Sequence, residues 1–151
     1  MPSLRNVILT GQNIRVSPNI NYDRALSLIM DIERREIYRA IGELAYVVAK
    51  ADKGLSAEEK AAFYDIAQAD LDYESWAAQS RFELLDEQVQ PSIEKAYNEA
   101  LHELRKYKAY FSADLKEKAL TVLQKVAACC NGLTANEAFI LDRFRKDLAT
   151  F

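Results

Sequence analysis

The chain is poor in the residues that punctuate a sheet protein. It has 4 Gly and 3 Pro among 151 residues, too few for an all-β architecture with many tight turns, so the expectation moves to helices. It has only 2 Cys, and they are adjacent, Cys129 and Cys130. Neighbouring helix positions point their Cβ atoms apart, which disfavours a disulfide. Two reduced, mostly buried thiols are expected, with a redox switch as the alternative. His102 is the only histidine and lies in the charged stretch "ALHELRKYK", where a surface position is expected. One His and two vicinal Cys make no recognisable zinc set. Nothing local supports a Cys–His catalytic pair, although the two residue types are present.

Long apolar runs are also missing. No segment reads as a transmembrane span or a signal peptide, so a cytoplasmic location is the expectation. Positive charge is not in excess: 20 Lys and Arg stand against 23 Asp and Glu, a net charge of −3. That argues against nucleic-acid binding by general electrostatics. "LRKYKAYF" (Leu104–Phe111) mixes bases with aromatics. It reads better as a solvated helix end with Tyr and Phe turned inward than as a nucleic-acid or anionic-lipid patch. No nucleophile elbow, P-loop or dinucleotide fingerprint occurs.

What is present is enough for one packed domain: hydrophobic residues make up 50% and charged residues 28%. Residues 1–20 read as an extended arm or weak hairpin, with "TGQN" as a turn and "SPN" as a break. Residues 21–151 read as helical. Asn21 is a suitable cap for a first helix whose stripe is Leu26, Met30, Ile37, Ile41, Leu44, Val48 and Ala51, with a bend or break at the polar interval Asp31–Glu36. A second helix carries Phe63, Ile66 and Ala67. A third, capped by Asp70 or Asp72, carries Tyr73, Trp76, Ala77, Ser80 and Leu84, with Tyr73 and Trp76 in the core or in a cleft between halves. Pro91 suits the first turn of a fourth helix or a kink. Ile93, Tyr97, Ala100, Leu104 and Phe111 follow at helical spacing. Ser112 caps a helix with the stripe Leu115, Ala119, Val122, Val126 and Cys129, and the last helix shows Leu141, Phe144 and Leu148. The expected fold is all-α: a compact bundle of about six or seven helices.

One pattern occurs twice. "VAKADKGLSAEEK" (Val48–Lys60) and "VAACCNGLTANEA" (Val126–Ala138) share six identities over the twelve positions from Val48 to Glu59. In each, an apolar helix ends, a Gly follows that can take positive φ, and an apolar residue, Leu55 or Leu133, precedes a capping box, Ser56-x-x-Glu59 or Thr134-x-x-Glu137. The Leu is placed as a hydrophobic staple. A helix-hairpin corner accounts for most of these letters. Asp52 is not among them: at a helix C-terminus the dipole disfavours an anion. It reads either as an exposed turn residue bonding local backbone N–H groups or, with Glu58 or Glu59 across the turn, as part of an oxygen-ligand set for a hard cation. Cys130 stands opposite it in the second copy.

These two corners resemble the repeated signature of the TerB-like family, which includes tellurite-resistance protein B and the N-terminal region of a membrane-anchored DnaJ-like co-chaperone. The resemblance covers roughly residues 36–148 and is specific over the corners. Asp52, Leu55, Ser56 and Glu59 match the first signature, with Lys53 in place of its Gly. Leu133, Thr134 and Glu137 match the second, where Cys130 and Asn131 replace Asp and Gly. The resemblance implies an all-helical domain of two related halves, hence a pseudo-two-fold repeat. It implies a non-catalytic stress-response or membrane-associated module with a protein partner. It also implies a divalent cation, Ca or Mg, near the corners, with Asp52, Glu58, Glu59 and Glu137 as the candidate ligands. The missing second Asp leaves either a half-site at the first corner, through Asp52 and Glu59 with Glu58 as a spare, or no site. A small redox-responsive protein or enzyme using Cys130 is the alternative reading.

Overall fold

A computed structural model describes residues 6–9, 12–15, 22–51, 55–71, 74–130 and 132–151, with side chains from residue 32 onward. The chain forms two compact units, Met1–Ile32 and Glu33–Phe151. In the first, β1 (Asn6–Leu9) and β2 (Gln12–Arg15) pair antiparallel, with Asn6 opposite Arg15 and Leu9 opposite Gln12. The two strands flank the expected turn "TGQN", whose Thr10 and Gly11 lie outside the described residues.

The rest is helical. The elements are α1 (Tyr22–Lys50), α2 (Ala57–Asp70), α3 (Ser75–Leu84), α4 (Ile93–Lys106), α5 (Ala113–Ala128) and α6 (Ala135–Leu148). A π-helical turn, Leu85–Val89, extends α3, and a short 3₁₀ turn, Lys108–Tyr110, follows α4. The expected all-α bundle is the fold, with six α-helices among the described residues. The polar interval Asp31–Glu36 lies inside α1 and does not end it.

From Ile37 to Ala49 every residue of α1 except Arg39 is buried, including Glu43. A helical stretch buried on nearly all sides belongs in the centre of a domain, and this part of α1 is the centre of the second unit. Its neighbour α3 follows it in the same direction: Arg35 meets Glu74, Gly42 meets Ala78, and Tyr46 meets Phe82. Phe82 joins three helices. It stacks on Phe63 of α2 with ring centroids 4.3 Å apart, and meets Tyr46 edge-on at 6.1 Å. Such aromatic geometry adds about 0.5–1.5 kcal/mol per pair beyond area burial.

The apolar face of α3 differs from the expected one. Ala77, Ala78 and Phe82 are buried, whereas Trp76 is 47% exposed, and Ser80 and Leu84 also face solvent. Trp76 lies outside the core. The guanidinium groups of Arg35 and Arg39 sit 5.8 and 6.0 Å from its ring centroid, a cation–π arrangement available at the surface. Tyr73 and Asp72 are outside the described residues. Asp70 does not cap α3: it ends α2 and accepts from Lys125 at 2.8 Å, and Glu74 occupies the α3 N-cap without a side-chain cap bond. The α3 extension stops where Gln90 takes a left-handed conformation, φ 46°. Pro91 then precedes the true cap of α4, Ser92, whose hydroxyl accepts from Lys95 N–H. Ser112 caps α5 as expected, accepting from Leu115 N–H at 3.2 Å. Phe111 is buried, Tyr107 half-buried and Tyr110 exposed, so the aromatics of "LRKYKAYF" turn inward only in part.

Candidate functional site

The two corners use related caps with different completeness. At the second, Thr134 Oγ1 accepts from Glu137 N–H at 3.2 Å, and Thr134 N–H donates to Glu137 Oε1 at 3.0 Å. This is a full capping box, and it leaves Glu137 buried. At the first, Ser56 Oγ accepts from Glu59 N–H at 3.1 Å, but the Ser56 hydroxyl, not its backbone N–H, donates to Glu59 Oε1 at 2.9 Å. The return bond of the expected box is therefore made by the side chain. The staples differ as well. Leu55 packs against the core, whereas Leu133 is 56% exposed and does not staple its helix. Gly132 takes φ 79°, the left-handed conformation that suits glycine after a helix end. Asp52 and Gly54 lie outside the described residues.

Cys129 caps the C-terminus of α5, within the second corner. It is exposed and Cys130 is half-buried, so the pair is more accessible than the sequence stripe suggests. Their sulfurs are 2.7 Å apart. Partial desolvation pushes the Cys129 thiol up to about 12, reinforced by the Cys130 contact and by the negative charges of Glu59 and Glu137. A thiolate at this position is disfavoured at neutral pH. Glu58 is exposed. Among the described residues, no three Asp, Glu, His or Cys side chains gather closely enough to hold a metal ion.

A second site has no counterpart in the motif reading. A cleft of about 590 Å³ runs along α1, α3 and α4, with Glu43, Arg81, Glu99 and His102 in its walls. Glu43 is only 1% exposed. Its Oε2 accepts from Arg81 Nη1 at 3.3 Å, while its Oε1 is buried without a hydrogen-bond partner. Burial pushes its carboxyl up to about 7; Arg81 opposes the shift, and the facing carboxyl of Glu99 adds to it. His102 is exposed, as expected, but on the rim of this cleft. The sequence carried a signal for Glu43: it is the only charged residue in the apolar run Ile37–Ala49 apart from Arg39. A lone carboxylate on an all-round buried helix needs a partner or a proton.

On the adjoining face of α4, the Tyr97 hydroxyl donates to Asp147 of α6, and Arg143 spans the gap. Burial and the Asp147 bond raise the Tyr97 hydroxyl well above the usual phenol range. Arg143 also makes a two-pronged bond to Glu94, both contacts at 2.7 Å. These contacts fasten α6 to α4.

Compared with protein-family models, curated proteins and solved structures, the chain gives no match. Among the described residues, no helix is long and apolar enough to cross a membrane.

Proposed function

We propose that this chain is a non-catalytic TerB-like helical module that binds a protein partner through the end of the bundle where its two corners lie. The reading rests on the corner signatures, and the observation that carries it is the exposure of large apolar side chains there. Leu133 is 56% and Phe139 66% exposed, flanking the cap of α6. Exposed large apolar side chains suit a partner surface. In this reading the two corners descend from a pseudo-two-fold repeat. A weak Ca or Mg half-site at Asp52, with Glu58 and Glu59, tunes the first corner. The module works in the cytoplasm, as an accessory in stress-response or membrane-associated complexes.

The test is affinity capture with the wild-type chain and a Phe139→Asp variant of equal thermal stability. Polypeptides held by the wild type and lost from the variant are expected. An identical set from both contradicts the reading. Calcium titration monitored by NMR addresses the cation: shifts confined to the first corner and removed by Asp52→Asn are expected, and no shift at millimolar metal rejects it.

A second reading, thiol chemistry at Cys130, draws on the 2.7 Å contact between the vicinal sulfurs. Native-state alkylation tests it. Rapid modification of Cys130 at neutral pH supports it, and resistance of both thiols removes its basis.

A further inference from the structure

We propose that Cys129 and Cys130 form a two-sulfur chelating site for a trivalent arsenic centre that carries one organic substituent. The proposal deepens the second reading above and rests on its premise that these vicinal thiols are accessible. Cys129 is exposed and Cys130 half-buried, and their sulfurs are 2.7 Å apart. The end of α5 produces this geometry. Adjacent positions inside a helix point their side chains in different directions. Here α5 stops at Ala128, Cys129 is its C-cap, and Cys130 already lies in the bend that follows. Outside the helix, the second side chain turns back onto the first. The turn is also unobstructed: a Cβ built on Gly132 would meet no atom within 4 Å.

The chemistry of the pair selects the ligand. A disulfide fits poorly. Consecutive Cα atoms stand about 3.8 Å apart across a trans peptide, short of the roughly 4.4–6.8 Å that a disulfide spans. An atom inserted between the sulfurs lengthens the ring and lifts that limit. Structural zinc takes four ligands, and no group of three metal-ligating side chains forms among the described residues. A soft cation such as Cu(I) suits thiolates, but a metal ion requires its sulfurs to be deprotonated. Burial and the Cys130 contact push the Cys129 thiol up to about 12, which opposes that loss. A trivalent arsenic centre takes the protons away as water. It is soft and bonds two sulfurs, and its third bond carries the substituent, so it needs no third protein ligand.

The exchange balances without an oxidant. With an arsenoxide, R–As=O, two As–S bonds form while two S–H bonds and the As=O bond break. The oxygen leaves with both protons as one water molecule. Arsenic stays trivalent and neither sulfur is oxidised.

The test is titration of the reduced, desalted full chain with phenylarsine oxide in millimolar glutathione, read by native mass spectrometry. One phenylarsenic group per chain is expected, and 1,2-ethanedithiol should remove it. Two linked contacts exceed either one alone by about 10²–10⁴ in affinity. Cys129→Ser and Cys130→Ser should therefore each weaken retention at least about a hundredfold, and either variant serves where the other folds poorly. The arsenical should also raise the urea midpoint of the wild type, because the folded corner holds the sulfurs together and the unfolded chain does not. No adduct on the wild type, an adduct kept equally by a single variant, or an unchanged urea midpoint overturns the proposal. Alkylation with iodoacetamide separates it from the second reading. Rapid alkylation of Cys130 without arsenical retention overturns the chelate and leaves thiol reactivity standing. Arsenical retention with slow alkylation upholds the chelate and removes the reactive thiolate.

Discussion

Gly42 and Ala78 hold α1 and α3 at backbone contact: a Cβ placed on Gly42 would stand 2.1 Å from the Ala78 carbonyl oxygen and 2.8 Å from its Cα. No rotamer change relieves a clash with backbone. The helices would have to separate, disturbing the Tyr46–Phe82 and Phe63–Phe82 contacts beyond. Overpacking of well-filled cores typically costs about 1–3 kcal/mol. Gly42→Ala is expected at the top of that range or above, seen as a lower urea midpoint with an unchanged slope. A loss below about 0.5 kcal/mol would contradict the close approach.

Glu43 should make stability fall as pH rises. Its folded carboxyl is pushed from 4.5 up to about 7 by burial. Between these values the unfolded chain has released the proton while the folded chain keeps it. The folded state binds more protons there, so stability declines with pH across the window and is flat outside it. The difference amounts to at most about 3 kcal/mol. Glu43→Gln removes the titration but also weakens the Arg81 pair, so its absolute effect is mixed. Its pH dependence is not: relative to wild type, the variant should gain stability between about pH 5 and pH 8. Thermal melts at both pH values check this, and parallel losses in the two proteins would contradict it.

The caps offer a comparison of the two corners. Loss of a hydroxyl cap costs about 0.5–2 kcal/mol. Thr134→Ala also disrupts a full capping box around the buried Glu137, whereas Ser56 and its bonds are exposed. Thr134→Ala is therefore expected to cost more than Ser56→Ala in chemical denaturation. The reverse order would mean that the second box contributes little.

Local chemistry made much of this fold legible in the sequence. Ser56, Ser112 and Thr134 cap helices through bonds three residues long, which a motif captures. The stripes of α2, α4, α5 and α6 follow helical period and bury Phe63, Tyr97, Leu104, Val122, Val126, Leu141 and Phe144. Readings failed where tertiary partners decide. Trp76 looks like core by size, but small residues face α1 because Gly42 and Ala78 permit close approach, and the Trp is left to two arginines. Asp70 looks like a cap, yet Lys125 from α5 claims it. Cys129 continues the α5 stripe by period, but the helix ends there and exposes it. The Glu43 cleft joins residues from three helices, and only the odd charge inside an apolar run marked it in the sequence.

The partner-binding reading requires the two corners to share one end of the bundle, around Cys129, the C-cap of α5. The direct measurement is paramagnetic broadening by a nitroxide on Cys129 in a Cys130→Ser background. Amides at Ala57–Lys60 and at Ala135–Ala138 should broaden together if the negative charges of Glu59 and Glu137 lie close enough to raise the Cys129 thiol. Broadening at Ala135–Ala138 alone, with Ala57–Lys60 untouched, would contradict it.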